Sequence, residues 1–175
     1  MSFKEKLGID EIDYRIILLK QKDPKLTSGL IAKSLNVKKN IVESRLLKLE
    51  RRKLLNISAG VDFRYTDLKF ARIQLKTNDS RDLWNMLSKC PLVSNVYKTT
   101  GEYNLAIEIL APSVKTVELV VDECIRSEES VYEINTQFYI DAAKQTVLPL
   151  LDNIERIPKQ GCHRFCKNNP NSAPP

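Results

Sequence analysis

The sequence predicts an α+β chain, in which a basic, all-helical N-terminal module precedes an acidic module of alternating strands and helices. Three observations predict it. Apolar residues recur at helical spacing up to about Leu54, and at alternate positions in several short runs beyond it. Those later runs interleave with two helical stretches in a fixed order. Charge divides the same way: residues 1–57 hold 14 Lys/Arg against 7 Asp/Glu, whereas residues 58–141 hold 9 against 13.

The first helix starts near Asp10, a good N-cap, with Glu11 and Asp13 placed to favour the helix dipole. Ile9, Ile12, Ile16 and Leu19 form its apolar side, and Asp23-Pro24 breaks it. A second helix begins at Thr27 or Ser28 and carries Leu30, Ile31, Ala32 and Leu35. Asn36 ends it, because asparagine tolerates the left-handed conformation. A third helix covers about 38–53, with Val42, Leu46 and Leu49 as its core stripe. Three short helices with a tight turn before the last outline a winged or three-helix helix-turn-helix domain.

Ile57, Ala59, Val61 and Phe63 then alternate as a connecting strand. Ala71, Ile73 and Leu75 alternate next, followed by a helix over 80–89, a strand over 93–99, a turn at Gly101, and alternation at Leu105, Ile107 and Ile109. Ser113 caps another helix, carrying Val114, Val117, Val121, Cys124 and Ile125, and Tyr132, Ile134, Thr136, Phe138 and Ile140 close the series. This βαββαβ order is the ferredoxin-like arrangement, which leaves one sheet face bare for a partner. The expected division is 1–57 for the helical domain, 58–69 for a connecting strand or linker, 70–157 for the ferredoxin-like domain and 158–175 for a flexible tail. Residues 142–157 read either as a helix interrupted by Pro149 or as a strand running into an arm.

With 42% hydrophobic and 29% charged residues, the composition is that of an ordinary soluble globular protein. No apolar run approaches the roughly 20 residues of a membrane span. The opening residues lack the apolar stretch of a signal peptide, so a cytoplasmic location is expected. Cys90 and Cys124 each end an apolar stretch, as small core hydrophobes do. Cys162, His163 and Cys166 offer three soft ligands where zinc wants four, so neither a metal nor a cofactor is expected.

The third helix concentrates the chemistry. Seven basic residues fall within 38–53 against Glu43 and Glu50. A helix lying in the major groove presents its N-terminal residues to base edges and its flanks to phosphates. Lys38, Lys39 and Asn40 occupy that end, Ile41 suits a thymine methyl, and Ser44 lies off the core stripe. Arg45, Lys48 and Arg51 are read as phosphate contacts. The plainer alternative is a solvated helix laced with Lys and Glu.

Residues 9–140 resemble the Lrp/AsnC family of bacterial and archaeal regulators. The resemblance rests on Ile9-Asp10-Glu11-Ile12-Asp13 with Ile16-Ile17, on Ile31-Ala32-Lys33-Ser34-Leu35-Asn36-Val37, on Val42-Glu43-Ser44-Arg45-Leu46-Leu47-Lys48-Leu49-Glu50, and on Thr100-Gly101-Glu102-Tyr103-Asn104. It implies a regulator that binds double-stranded DNA, a homodimer or higher oligomer built by ferredoxin-like domains packing sheet on sheet, and a small effector, such as an amino acid, near the Gly101 loop. The effector residues so implied are Thr100, Gly101, Glu102, Tyr103 and Asn104. From the residues alone, the loop reads equally as a tight turn. Two departures stand out: Lys53 where the family usually has glycine, and Asn104 where it often has aspartate.

Siroheme decarboxylases look similar throughout, but they carry a histidine on the second strand of the ferredoxin-like domain. Here that strand reads Ser94-Asn95-Val96-Tyr97-Lys98-Thr99. With no catalytic motif elsewhere, the expectation is a regulator and not an enzyme. An oligomeric interaction protein that binds no DNA is the competitor from another class.

Overall fold

The computed structural model describes residues 2–149. The described residues divide into two compact units, one ending at Ser58 and the other beginning at Ala59. The tail with Cys162, His163 and Cys166 lies outside the described residues.

The first unit holds four helices: α1 (Phe3–Leu7), α2 (Glu11–Lys22), α3 (Ser28–Leu35) and α4 (Lys39–Arg51). Local chemistry sets most of their ends. Asp10 caps α2 in a reciprocal box with Asp13, and Thr27 caps α3 by accepting from the Leu30 N–H. Asn36 takes the left-handed conformation, at φ 54°, that lets the chain turn sharply into α4. The short α1 was not expected, although Ser2 and Glu5 form a capping box around its start. Among the described residues of this unit there is no strand, so of the two anticipated forms it takes the three-helix one, preceded by α1. Ile16, Ile31, Val42 and Leu49 are completely buried at its centre. Each such side chain contributes about 1.5–3 kcal/mol through the water it sheds. Leu46, expected on the core stripe, is only half-buried, and Leu30 is exposed.

The second unit is built on a four-stranded antiparallel sheet of β2 (Lys69–Thr77), β3 (Val93–Lys98), β4 (Leu105–Ala111) and β5 (Val131–Phe138), in the spatial order β3-β4-β2-β5. Helices α5 (Ser80–Leu87) and α6 (Val114–Val120) cross between strands, which completes the ferredoxin-like topology. Ala71, Ile73 and Leu75 pair with Ile109, Ile107 and Leu105, and the whole set is buried beneath the helices. Cys90 and Cys124 are buried in the same core. The last turn of the second helix widens to a π-helical turn at Val121–Ile125, closed by the Arg126 N–H on the Val121 carbonyl at 2.8 Å. The extra residue in that turn lets the adjacent pairs Val120-Val121 and Cys124-Ile125 all face inward. Val114, expected on this apolar face, is exposed.

The opposite sheet face is only partly bare. Over its middle it presents Arg72 and Gln74 of β2 beside Glu108 of β4. At one end Phe70 and Leu110 are covered by Phe63 and Leu148. The expected connecting strand is therefore reduced to β1 (Val61–Asp62), which pairs with β6 (Val147–Leu148) and leads into a single 3-10 turn at Phe63–Tyr65. A side chain at Gly60 would collide with the Leu148 backbone, so this ribbon requires glycine there. At the sheet edge, Tyr132, Phe138 and Ile140 of the last alternating run remain exposed. None of the described helices is long and apolar enough to cross a membrane.

Candidate nucleic-acid interface and effector loop

Helix α4 follows the Asn36 turn and buries Val42 and Leu49 on one side. The side diametrically opposite is a row at helical spacing, Asn40, Ser44, Leu47 and Arg51, all exposed. Lys38 stands exposed at the helix start, without a side-chain capping bond. Lys39 pairs with Glu43 at 3.2 Å, and Glu43 also accepts from the Ser28 hydroxyl of α3. Ile41 is exposed on the other flank. The Ser44 hydroxyl donates to the Ile41 carbonyl at 2.9 Å, which leaves its lone pairs turned outward. Lys48 keeps its ammonium largely in solvent, 3.9 Å from Asp13.

Arg45 stands apart. Its Nη1 donates to Asp10 at 2.6 Å and to Asp13 at 2.8 Å, and the Asp13 side chain is only 1% exposed. One nitrogen of the guanidinium expected on phosphate is thus engaged within the helical unit. Charge and hydrogen bonding act together: the Asp13 and Asp10 carboxylates raise the Arg45 pKa. The Asp10 carboxyl is held below its ordinary range, first by the Asp13 backbone N–H and then by Arg45. Arg52, another of the seven basic residues, donates to the Leu7 and Gly8 carbonyls at 2.8 Å each, at the end of α1. Leu47 was missed from sequence. Its 51% exposure on the outward row sets it beside Asn40 and Ser44, and extending the wheel past the basic residues would have found it.

In the second unit, Gly101 takes φ 104° in the loop between β3 and β4, a conformation other residues rarely adopt. Thr99 braces the loop by donating its hydroxyl to the Tyr103 carbonyl at 2.6 Å. The Tyr103 hydroxyl donates to Glu133 at 2.8 Å, and that bond raises the phenol pKa. A cleft of about 470 Å³ lies beside the loop, lined by Arg72, Gln74, Lys98, Thr99, Thr100, Glu102 and Tyr103. Of the five expected effector residues, Thr100, Glu102 and Tyr103 line it. Gly101 shapes the turn, and Asn104 points elsewhere, its amide engaged by the Thr77 backbone. The side chains not anticipated are Arg72 and Gln74 of β2; Lys98 borders the cleft from β3, but its ammonium lies over the Trp84 ring, 5.7 Å from the centroid. A cation, Arg72, and a carboxylate, Glu102, beside one small cleft suit a zwitterion.

Comparison with known proteins agrees with this architecture. Residues 69–149 match the Lrp/AsnC ligand binding domain. The HTH-type transcriptional regulator FL11 of Pyrococcus abyssi is 28% identical over 150 residues, spanning 83% of this chain and 99% of that protein. An uncharacterized HTH-type transcriptional regulator of Pyrococcus horikoshii is 34% identical over 107 residues, 57% of this chain and 69% of its own. The fold also matches a Neisseria meningitidis transcriptional regulator solved as its L-Met complex, with a TM-score of 0.68 at 20% identity over 81% of this chain and 97% of that one. A helix-turn-helix, a ferredoxin-like domain and this run of relatives have one reading: the chain belongs to the Lrp/AsnC family of DNA-binding transcription regulators.

Proposed function

We propose that the protein works as a homo-oligomer that binds a pseudo-palindromic duplex site through paired α4 helices and responds to a small amino acid in the cleft beside Gly101. The observation that carries the DNA reading is the outward row of α4. Asn40, Ser44 and Leu47 offer hydrogen-bonding and apolar groups suited to base edges, and Lys38, Lys39, Ile41, Lys48 and Arg51 surround them with charge and a methyl-sized contact. Selection of bound duplexes from a random pool tests this and yields the operator together. Affinity for the selected site should fall steeply with salt, with a logarithmic slope of about 0.9 for each phosphate contact. Recovery of no enriched sequence removes the reading.

The effector proposal rests on the cleft's donors. Arg72 suits a carboxylate, and Glu102 suits an ammonium group. The L-Met complex of the Neisseria regulator points the same way. A thermal-shift screen across the amino acids, read together with the sedimentation of the oligomer, tests it. A flat response across the whole set removes the effector role and leaves the loop a structural turn.

A further inference from the structure

We propose that Arg45 serves DNA binding as a positioning residue, acting through Asp10 and Asp13 and not through phosphate. The proposal deepens the assignment of α4 as the DNA-binding helix and rests on it. Sequence alone gives Arg45 the same standing as the other basic residues of the helix. Three observations separate it from them.

First, one nitrogen of the guanidinium bridges two carboxylates, Asp10 at 2.6 Å and Asp13 at 2.8 Å. Second, Asp13 is fully buried, and a buried carboxylate needs its counter-charge close by. The other cation near it, Lys48, stands 3.9 Å away with its side chain about half exposed. If Arg45 turned to a phosphate, Asp13 would lose its hydrogen-bonded counter-charge and keep the Asp10 N–H, at 3.5 Å, as a donor. Third, the two carboxylates belong to the capping box that starts α2. The arginine therefore ties the middle of α4 to a rigid helix terminus. Arg52, two helical turns further on, ties the end of α4 to the Leu7 and Gly8 carbonyls. Two anchors roughly 10 Å apart along the axis fix both the tilt and the rotation of α4. Rotation is what decides whether Asn40, Ser44 and Leu47 meet base edges in register.

The two roles predict opposite signs at Asp10. If charge alone mattered, Asp10→Asn would remove a negative charge from a DNA-binding module and tighten binding. If Arg45 positions the helix, the same change weakens binding, because the bridge loses an ionic arm while asparagine still caps α2. The experiment uses the full chain and the duplex enriched from the random pool, with affinity measured across a salt series and folding checked by circular dichroism and thermal melting. Arg45→Met, Arg45→Lys and Asp10→Asn are each expected to weaken binding about tenfold, the scale of one charge-assisted hydrogen bond. Their salt slopes should stay parallel to the parent's. Arg51→Ala serves as the phosphate control, with a slope shallower by about 0.9.

Three outcomes overturn the proposal. One is a shallower slope in Arg45→Met with parental affinity in Arg45→Lys. Another is tighter binding by Asp10→Asn. The third is a set of variants that melt earlier yet bind as the parent does, which would make the bridge a matter of stability alone. If Arg45→Met fails to fold, Asp10→Asn still decides, since Asp10 is exposed and the buried Asp13–Arg45 pair stays intact. A parent protein that selects no duplex overturns the DNA reading itself, and with it the role given to Arg45.

Discussion

The Asn104 side chain pairs with Thr77 as if it were a piece of backbone, donating Nδ2 to the Thr77 carbonyl at 2.7 Å and accepting from the Thr77 N–H at 3.0 Å. The contact joins the end of the Gly101 loop to the end of β2, where the register with β5 slips between Lys76 and Thr77. Pairing of β2 with β4 ends at Leu75–Leu105, so the Thr77 backbone runs past β4, and an amide is the side chain that both donates and accepts. An aspartate at this position accepts from the N–H but opposes the carbonyl with a second acceptor.

Asn104→Asp is therefore expected to lower stability at neutral pH by about 1–3 kcal/mol, the usual cost of an unmet buried polar group. Acidification should return part of the loss, because a protonated carboxyl regains a donor. Chemical denaturation at neutral and mildly acidic pH checks both halves of the expectation.

Ile107 is fully buried opposite Ile73 in the sheet core. Ile107→Ala should cost about 2–5 kcal/mol through lost transfer energy and the cavity left behind. A denaturant midpoint close to the parent's would show that the helices collapse onto the gap.

The depressed pKa of Asp10 has a definite consequence for acid stability. A carboxyl lowered in the folded state contributes stability that is complete above its ordinary value of 3.8 and is lost as pH falls through the folded value. The helical unit should hold its Asp10–Arg45 contact through mild acid and release it only below that point. Carbon-13 titration of the Asp10 carboxyl measures this, with an ordinary midpoint counting against the contact.

Tyr103 donates to Glu133, and its phenol should ionise above the ordinary value of 10.0 for that reason. Tyr97, raised by burial and then by its bond to Glu108, should behave alike. Ultraviolet titration of the parent against Glu133→Gln and Glu108→Gln assigns the two phenols, each falling back when its own partner is replaced.

Arg72→Ala and Glu102→Gln should each abolish amino-acid stabilisation while leaving operator affinity of the unliganded protein unchanged. A ligand at a hundred times its Kd adds about 2.7 kcal/mol to the parent, enough to read as a clear shift in melting temperature. Undiminished shifts in both variants would move the effector elsewhere.

Much of this protein is legible along the chain because the determining interactions are local. The helix starts at Asp10 and Thr27, the Asn36 turn and the alternation of Ile73 and Leu75 each depend on residues a few positions apart. The four-strand, two-helix order follows from the same short-range periods. The β1–β6 ribbon was hidden because each strand is two residues long and their pairing spans most of the second unit. The bridge from Arg45 to Asp13 and the pairing of Asn104 with Thr77 join positions 32 and 27 residues apart. A basic residue on a helix reads the same in sequence whether it meets phosphate or a buried carboxylate. Only packing distinguishes the two, because burial of Asp13 makes its hydrogen-bonded cation costly to remove.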